Sequence, residues 1–162
     1  MILIITTGGT IEGIEHTSDS ENEGTLVSIQ SLLQNVNISQ EYQIEKAFSK
    51  DSRFITNKDR EILQQKIVQT NTNLILITHG TITMVETAIY LGKLQIDKTI
   101  VLVGSFILGN EQNSDANFNL GFALETLQTL EKGVYIAMNG QVFNWNNVRK
   151  NTAKKRFEKI LN

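Results

Sequence analysis

Ile2-Leu3-Ile4-Ile5-Thr6-Thr7-Gly8-Gly9-Thr10-Ile11 begins as an unbroken apolar run and ends in two adjacent glycines followed by a hydroxyl. The run from Ile2 to Thr6 reads as a strand with apolar cover on both faces, the pattern of a parallel sheet. Gly8 and Gly9 lack a Cβ, so the chain can turn sharply there and its backbone can approach a neighbour or a ligand closely. Thr10 is thereby expected in a loop at the carboxyl end of a strand, where open α/β sheets bind their ligands.

The glycines do not spell a phosphate cradle. Gly8 to Gly13 fits neither G-x-x-x-x-G-K-[ST] nor G-x-G-x-x-G. Glu12, Glu15, Asp19, Glu21 and Glu23 follow, and the first basic residue is Lys46, so a phosphate would meet like charge. The stretch from Gly13 to Gly24 reads as a lid loop, and His16 within it as a solvated histidine.

Further strand-like runs recur at Tyr42 to Phe48, Leu74 to Thr78, Thr99 to Val103 and Val134 to Met138. Between them apolar residues recur at three and four in Val27 to Val36, Lys58 to Gln69, Met84 to Leu91 and Asn117 to Leu130, which predicts helices. Apolar strands alternating with amphipathic helices give an α/β fold: a mostly parallel open sheet with helices on both faces. The runs at 74–78 and 99–103 are expected at its centre. Asn139-Gly140 between two short apolar segments is a hairpin signal, so the sheet should finish in an antiparallel ribbon near the C-terminus. Arg149 to Lys159 holds six basic residues against Glu158 alone and reads as a solvated terminal helix.

The 162 residues suit one domain, 1–162, large enough to bury a sizeable core. A net charge of −2 gives no bulk attraction to nucleic acid or membrane, which leaves small-molecule or protein partners. With no cysteine there is no disulfide framework or thiolate metal site, and Met1 leads straight into a strand without a charged n-region. These features read as a cytoplasmic protein. His16 and His79 lie far apart and lack a Glu-x-x-His partner, so no catalytic metal is expected.

In a parallel sheet the loops after the first four strands meet at one edge. They carry Thr10, then Lys50-Asp51-Ser52-Arg53, then Thr78-His79-Gly80-Thr81-Ile82-Thr83, then Gly104-Ser105. Thr83 with Glu86 three residues on also reads as a capping box for the next helix. Thr81 is better placed to face a ligand, and His79 reads as a structural hydrogen-bonding residue.

Five of these segments together carry a resemblance. Thr7-Gly8-Gly9-Thr10-Ile11, Asp51-Ser52, His79-Gly80-Thr81, Val103-Gly104-Ser105 and Ser114-Asp115-Ala116 with Asn119-Leu120 resemble, in order and spacing, the N-terminal domain of the bacterial L-asparaginases. Val148-Arg149-Lys150 with Thr152 extends the likeness to the far end. The resemblance implies an amidohydrolase that splits a small amide with a threonine nucleophile and needs no metal or cofactor. Carried over by position, Thr10 would be the nucleophile, and Thr81 with Lys150 would activate it or a water. Ser52 would hold the substrate's carboxylate, with Arg53, Gly80 and Ile82 beside it. It also implies a homo-oligomer and a domain lacking the family's smaller C-terminal domain, whose glutamate enters the neighbouring subunit's site.

Departures from the family pattern point one way. Ile82 stands where an aspartate is expected to bond the lysine and grip the substrate's ammonium. Arg53 replaces a neutral polar group, Phe54 an aspartate, and the loop after Thr10 holds no tyrosine, the first being Tyr42. An ammonium left unpaired in such a site costs about 3 kcal/mol, so free asparagine should bind poorly. The first reading is therefore an amidohydrolase with weak or redirected asparaginase activity. The alternative is a binding or regulatory module that holds a small carboxylate or amide without turnover.

Overall fold

The structure, a computed structural model, describes residues 1–14 and 27–160. Six strands form one sheet: β1 (Ile2–Gly8), β2 (Tyr42–Lys50), β3 (Leu74–Thr78), β4 (Thr99–Val103), β5 (Gly133–Met138) and β6 (Gln141–Asn144). Their order is β2-β1-β3-β4-β5-β6, parallel through β5, with β6 antiparallel at the edge. The continuous apolar runs take the central places. All seven residues of β1 and all five of β4 are buried, which requires cover on both faces.

Helices α1 (Ile29–Asn35), α2 (Asn57–Gln69), α3 (Met84–Lys93) and α4 (Ala116–Thr129) provide that cover. Leu32 and Leu33 of α1 line one groove with Leu120 and Leu124 of α4, while α2 packs with α3. The steps β3 to β4 and β4 to β5 run in the same direction across the sheet, yet their helices lie on opposite faces. The two connections therefore have opposite hands, and one departs from the usual right-handed crossover. The β4 to α4 connection is carried over the carboxyl edge, above Thr10.

Local signals mark most boundaries. Thr56 accepts the Asp59 N–H while Asp59 accepts the Thr56 N–H at 2.7 Å, a capping box that starts α2. The box expected at Thr83 is absent. Thr83 occupies the N-cap position of α3, but its hydroxyl donates to the Ser52 carbonyl at 2.6 Å and Glu86 instead pairs with Arg60. Asn139 and Gly140 both have positive φ, 49° and 79°, and close the β5–β6 hairpin as its sequence predicts.

One element differs in kind from the sequence expectation. Arg149 to Lys159 is not a helix: it forms β7 (Arg149–Asn151) and β8 (Arg156–Glu158), an antiparallel ribbon apart from the main sheet. The physical reason is Phe157, 4% exposed, whose ring lies 5.8 Å from Phe106 and 6.4 Å from Phe143. One buried aromatic anchors an extended segment more strongly than a thin helical stripe would. Glu158 pairs with Arg149 and Arg156, which tempers the repulsion among the cations. The loop read as a lid, beyond Ile14, and His16 lie outside the described residues.

Candidate functional site

Thr10 opens a single 3-10 turn, Thr10–Glu12, directly after β1. Gly8 and Gly9 hold φ of 95° and 82°, a region that side chains with a Cβ rarely enter. A Cβ on Gly9 would stand 2.5 Å from the Gly80 nitrogen, and one on Gly80 would stand 2.6 Å from the Ser52 hydroxyl. The loops after β1 and β3 are thus packed backbone against backbone, and the Ser52 side chain of the β2 loop closes on Gly80. The β4 loop joins them through the Gly109 N–H, which donates to the Thr10 carbonyl at 2.9 Å. That loop is itself shaped by Asp115, which accepts the N–H groups of Phe106 and Ile107, and by Asn119, which donates to the Gly104 carbonyl.

Together the loops enclose a cleft of about 280 Å³ at the carboxyl edge of the sheet. Thr10, Thr81, Ile82, Arg53 and Lys150 all line it. The Lys150 Nζ donates to the Thr81 hydroxyl at 2.9 Å, across 69 positions of sequence. The same ammonium lies 5.5 Å from the centre of the Phe106 ring, a cation–π distance. Partial burial pushes the Lys150 ammonium below the usual lysine range, so its free-base form is easier to reach than in water.

Arg53 also faces the cleft, but its charge is engaged. Its Nε and a terminal nitrogen donate to the two Asp51 carboxylate oxygens at 3.0 and 2.7 Å, a bidentate pair. Ile82 is 50% exposed and presents an apolar surface beside Thr81. Ser52 and Gly80 are buried and are not among the residues that line the cleft; the Ser52 hydroxyl accepts the Thr83 N–H at 3.4 Å. Ser105 is likewise buried and donates to the Ile107 carbonyl.

His79 is fully buried, with Nδ1 against the Gly80 carbonyl at 2.8 Å and Nε2 against the Thr87 hydroxyl at 2.9 Å. Burial pushes its pKa down to about 4, so it is neutral near pH 7 and braces the start of α3. Among the described residues, no group of three or more His, Cys, Asp and Glu side chains is arranged to hold a metal ion. A larger groove of about 570 Å³ between α1 and α4 brings together mostly apolar and amide side chains with Ser39 and Glu125, and holds none of the sequence-predicted site residues.

The cleft also holds Ile14, Phe106 and Lys155, which carried no sequence signal for the site, and Asp51, whose motif was legible but whose pairing with Arg53 was not foreseen. Asp51 two residues before Arg53 was a legible clue, since such spacing in a tight turn brings the two side chains together. Phe106 had no local signal. It matters through Phe157 and Lys150, both distant in sequence.

An open α/β sheet with a threonine–lysine pair at its carboxyl edge defines the class of protein. Residues 1–158 match the family described as Asparaginase, N-terminal, and the chain belongs to that family. It is 32% identical over 155 residues to the glutaminase-asparaginase of Acinetobacter glutaminasificans, covering 88% of this chain and 47% of that protein. Against the probable periplasmic L-asparaginase of Haemophilus influenzae it is 33% identical over 164 residues, covering 92% and 46%. Its fold matches the crystal structure of the probable cytoplasmic L-asparaginase from Campylobacter jejuni with a TM-score of 0.82 at 27% identity, over 98% of this chain and 52% of the other. The thermostable L-asparaginase from Thermococcus kodakarensis gives the same TM-score, 0.82, at 26% identity, over 98% and 51%. The chain spans about half the length of the relatives it matches.

Proposed function

We propose that this protein is an asparaginase-type amidohydrolase acting on a small amide without a free α-amino group, with Thr10 as nucleophile. The observation that carries the reading is the Lys150–Thr81 hydrogen bond of 2.9 Å inside the cleft that Thr10 lines. A threonine hydroxyl is a weak nucleophile until a neighbouring base takes its proton, and a lysine whose pKa is lowered by burial is a suitable base. The Thr10 oxygen attacks the amide carbon while its proton passes to Lys150, directly or through Thr81. The C–N bond then breaks, the amine leaves as ammonia carrying that proton, and an ester to Thr10 remains. Water cleaves the ester, releasing the carboxylate and restoring the hydroxyl.

The choice of amide follows from Ile82. An exposed isoleucine beside Thr81 accepts no hydrogen bond from an ammonium, and the nearby Asp51 carboxylate is held by Arg53. Free asparagine would bury its ammonium without a partner, a penalty of about 3 kcal/mol or roughly a hundredfold. An ω-amide whose α-carbon bears hydrogen or an acylated nitrogen avoids it.

The test is ammonia release from L-asparagine, L-glutamine, succinamic acid and N-acetyl-asparagine by the full chain, beside Thr10→Ala and Lys150→Met. The expected result is turnover of the last two amides, lowered about a hundredfold or more by either substitution. The rate should rise with pH through the depressed Lys150 pKa, because the base acts deprotonated. Activity untouched by Thr10→Ala would remove the nucleophile from this account.

The same Ile82 surface favours a second reading, a module that binds a small carboxylate or amide without turnover. Calorimetry with succinamic acid, showing binding and no ammonia, would select it. A homo-oligomer belongs to the first reading on family grounds, and sedimentation equilibrium tests it. A cytoplasmic location is supported by the name of the Campylobacter jejuni neighbour and opposed by that of the Haemophilus influenzae relative. Among the described residues no helix is long and apolar enough to cross a membrane, and cell fractionation decides between the compartments.

A further inference from the structure

Glu12 ends the turn that Thr10 begins, and its side chain folds back beneath the turn. Its Oε2 accepts the Gly8 N–H at 2.6 Å and the Thr78 hydroxyl at 3.1 Å. Those two donors sit where the strands leading to Thr10 and Thr81 come apart. The β1–β3 ladder ends with Thr6 opposite Thr78, and β1 shifts register against β2 between Thr6 and Gly8. Beyond that point, among the described residues, Glu12 and Thr7 hold the strand ends together, Thr7 donating to the Thr78 carbonyl at 2.7 Å. Glu12 is absent from the lining of the Thr10 cleft and instead borders a smaller cavity of about 250 Å³ with Thr6, Ser28 and Gln30.

We propose that Glu12 is a positioning residue for the two threonines, its carboxylate bridging the Gly8 N–H and the Thr78 hydroxyl and so setting how Thr10 stands relative to Thr81. The inference rests on the reading of Thr10 as the reacting group. A carboxylate accepts both bonds more strongly than the neutral acid, so the brace tightens on ionisation and slackens on protonation.

The surroundings put that change near neutrality. Burial pushes the Glu12 pKa up to about 7, against the opposing pull of the Gly8 N–H, the Thr78 hydroxyl and the Lys46 charge. Among the described residues, the groups that face it are the Gly8 amide from β1, Lys46 from β2, Thr78 from β3, and Ser28 and Gln30 across the small cavity. The linkage has a definite sign. A folded-state pKa of about 7 lies above the ordinary 4.5, so this group's stabilisation is complete below 4.5 and is lost as pH rises through 7. The braced state is the less stable one.

The experiment follows the Gly8 amide and the Thr10 and Thr81 methyl resonances of the labelled full chain through neutral pH, in wild type, Glu12→Gln and Glu12→Ala. In wild type all three are expected to move together with a midpoint near 7. In Glu12→Gln, whose amide oxygen still accepts both bonds, they should stay flat. Glu12→Ala should displace both threonine signals at every pH. The wild-type melting temperature should fall as pH rises from 4.5 to about 7 and level off above, and Glu12→Gln should remove that fall. In ammonia release, Glu12→Ala should lower kcat about ten- to a hundredfold with KM little changed, and Glu12→Gln should recover most of it.

A Gly8 signal that does not titrate, or titrates equally in Glu12→Gln, overturns the proposal and assigns the change to another group such as His16. Threonine signals that stay still while Gly8 moves reduce Glu12 to a local clasp and overturn it as well. If no amide is hydrolysed, the resonances still decide on Glu12, so its failure and that of the amidohydrolase reading are separable.

Discussion

Thr10 and Thr81 ride on the buried parallel sheet, whereas Lys150 rides on a ribbon of two three-residue strands outside it. The first region is held redundantly: ladders of four and five residue pairs on the two sides of β3, the close Gly9–Gly80–Ser52 packing, and the Glu12 and Thr7 braces. The second is held by one aromatic cluster, Phe157 between Phe106 and Phe143, with exposed ion pairs around Glu158. Exposed pairs contribute little, so the position of Lys150 depends on that cluster far more than on charge. A site can thus combine two hydroxyls on a many-times-braced sheet with an ammonium carried on a more weakly supported arm.

Gly9→Ala tests the stronger side and should have the largest effect. The new Cβ meets the Gly80 backbone and demands a φ of 82° from a residue that resists it. A loss of about 3 kcal/mol in urea unfolding is expected, with the whole sheet affected. A loss confined to the ribbon would break the comparison.

Phe157→Ala tests the weaker side. Truncating a buried phenylalanine costs about 3–5 kcal/mol in a rigid core, but a ribbon that can open locally should transmit only about 2 kcal/mol to global unfolding. Hydrogen exchange at Lys150 and Phe157 should quicken while β3 and β4 stay protected, and the Lys150-dependent rate should fall with them. Equal acceleration in β3 would show that the two regions unfold as one.

Arg53→Ala should have the smallest effect. The guanidinium is 46% exposed, and the Arg53 N–H to Asp51 bond at 2.9 Å survives the change. Less than about 1 kcal/mol of stability should be lost. The informative change is in ligand choice: with the guanidinium charge removed from the cleft, amides bearing a free ammonium should gain relative to those without one. A preference unchanged by the substitution would leave Ile82 alone responsible for it.

Much of the stronger region was legible because its signals are local. Uninterrupted apolar runs marked β3 and β4 to the residue, and Asn139-Gly140 marked its hairpin. The ribbon was not legible for the opposite reason. Six cations between Arg149 and Lys159 read as a solvated helix, since the partners that bury Phe157 stand at positions 106 and 143. Glu12 was hidden in another way: one of five acids in a polar stretch, it reads as solvated until the turn folds it under β1. Thr83 and Thr56 show the limit of a local motif. Both precede an acid by three residues, and only Thr56 makes the box, because the Thr83 hydroxyl finds the Ser52 carbonyl first.

The two central strands, the turn that offers Thr10 and the loops that gather around it were written in the residue pattern, because hydrophobic period and glycine placement act over a few neighbours. The meeting of Lys150 with Thr81, the pairing of Arg53 with Asp51 and the burial of Glu12 were decided by the tertiary structure. Each depends on which surfaces a crossover brings face to face, and on how much water that contact excludes, quantities that no short stretch of sequence contains.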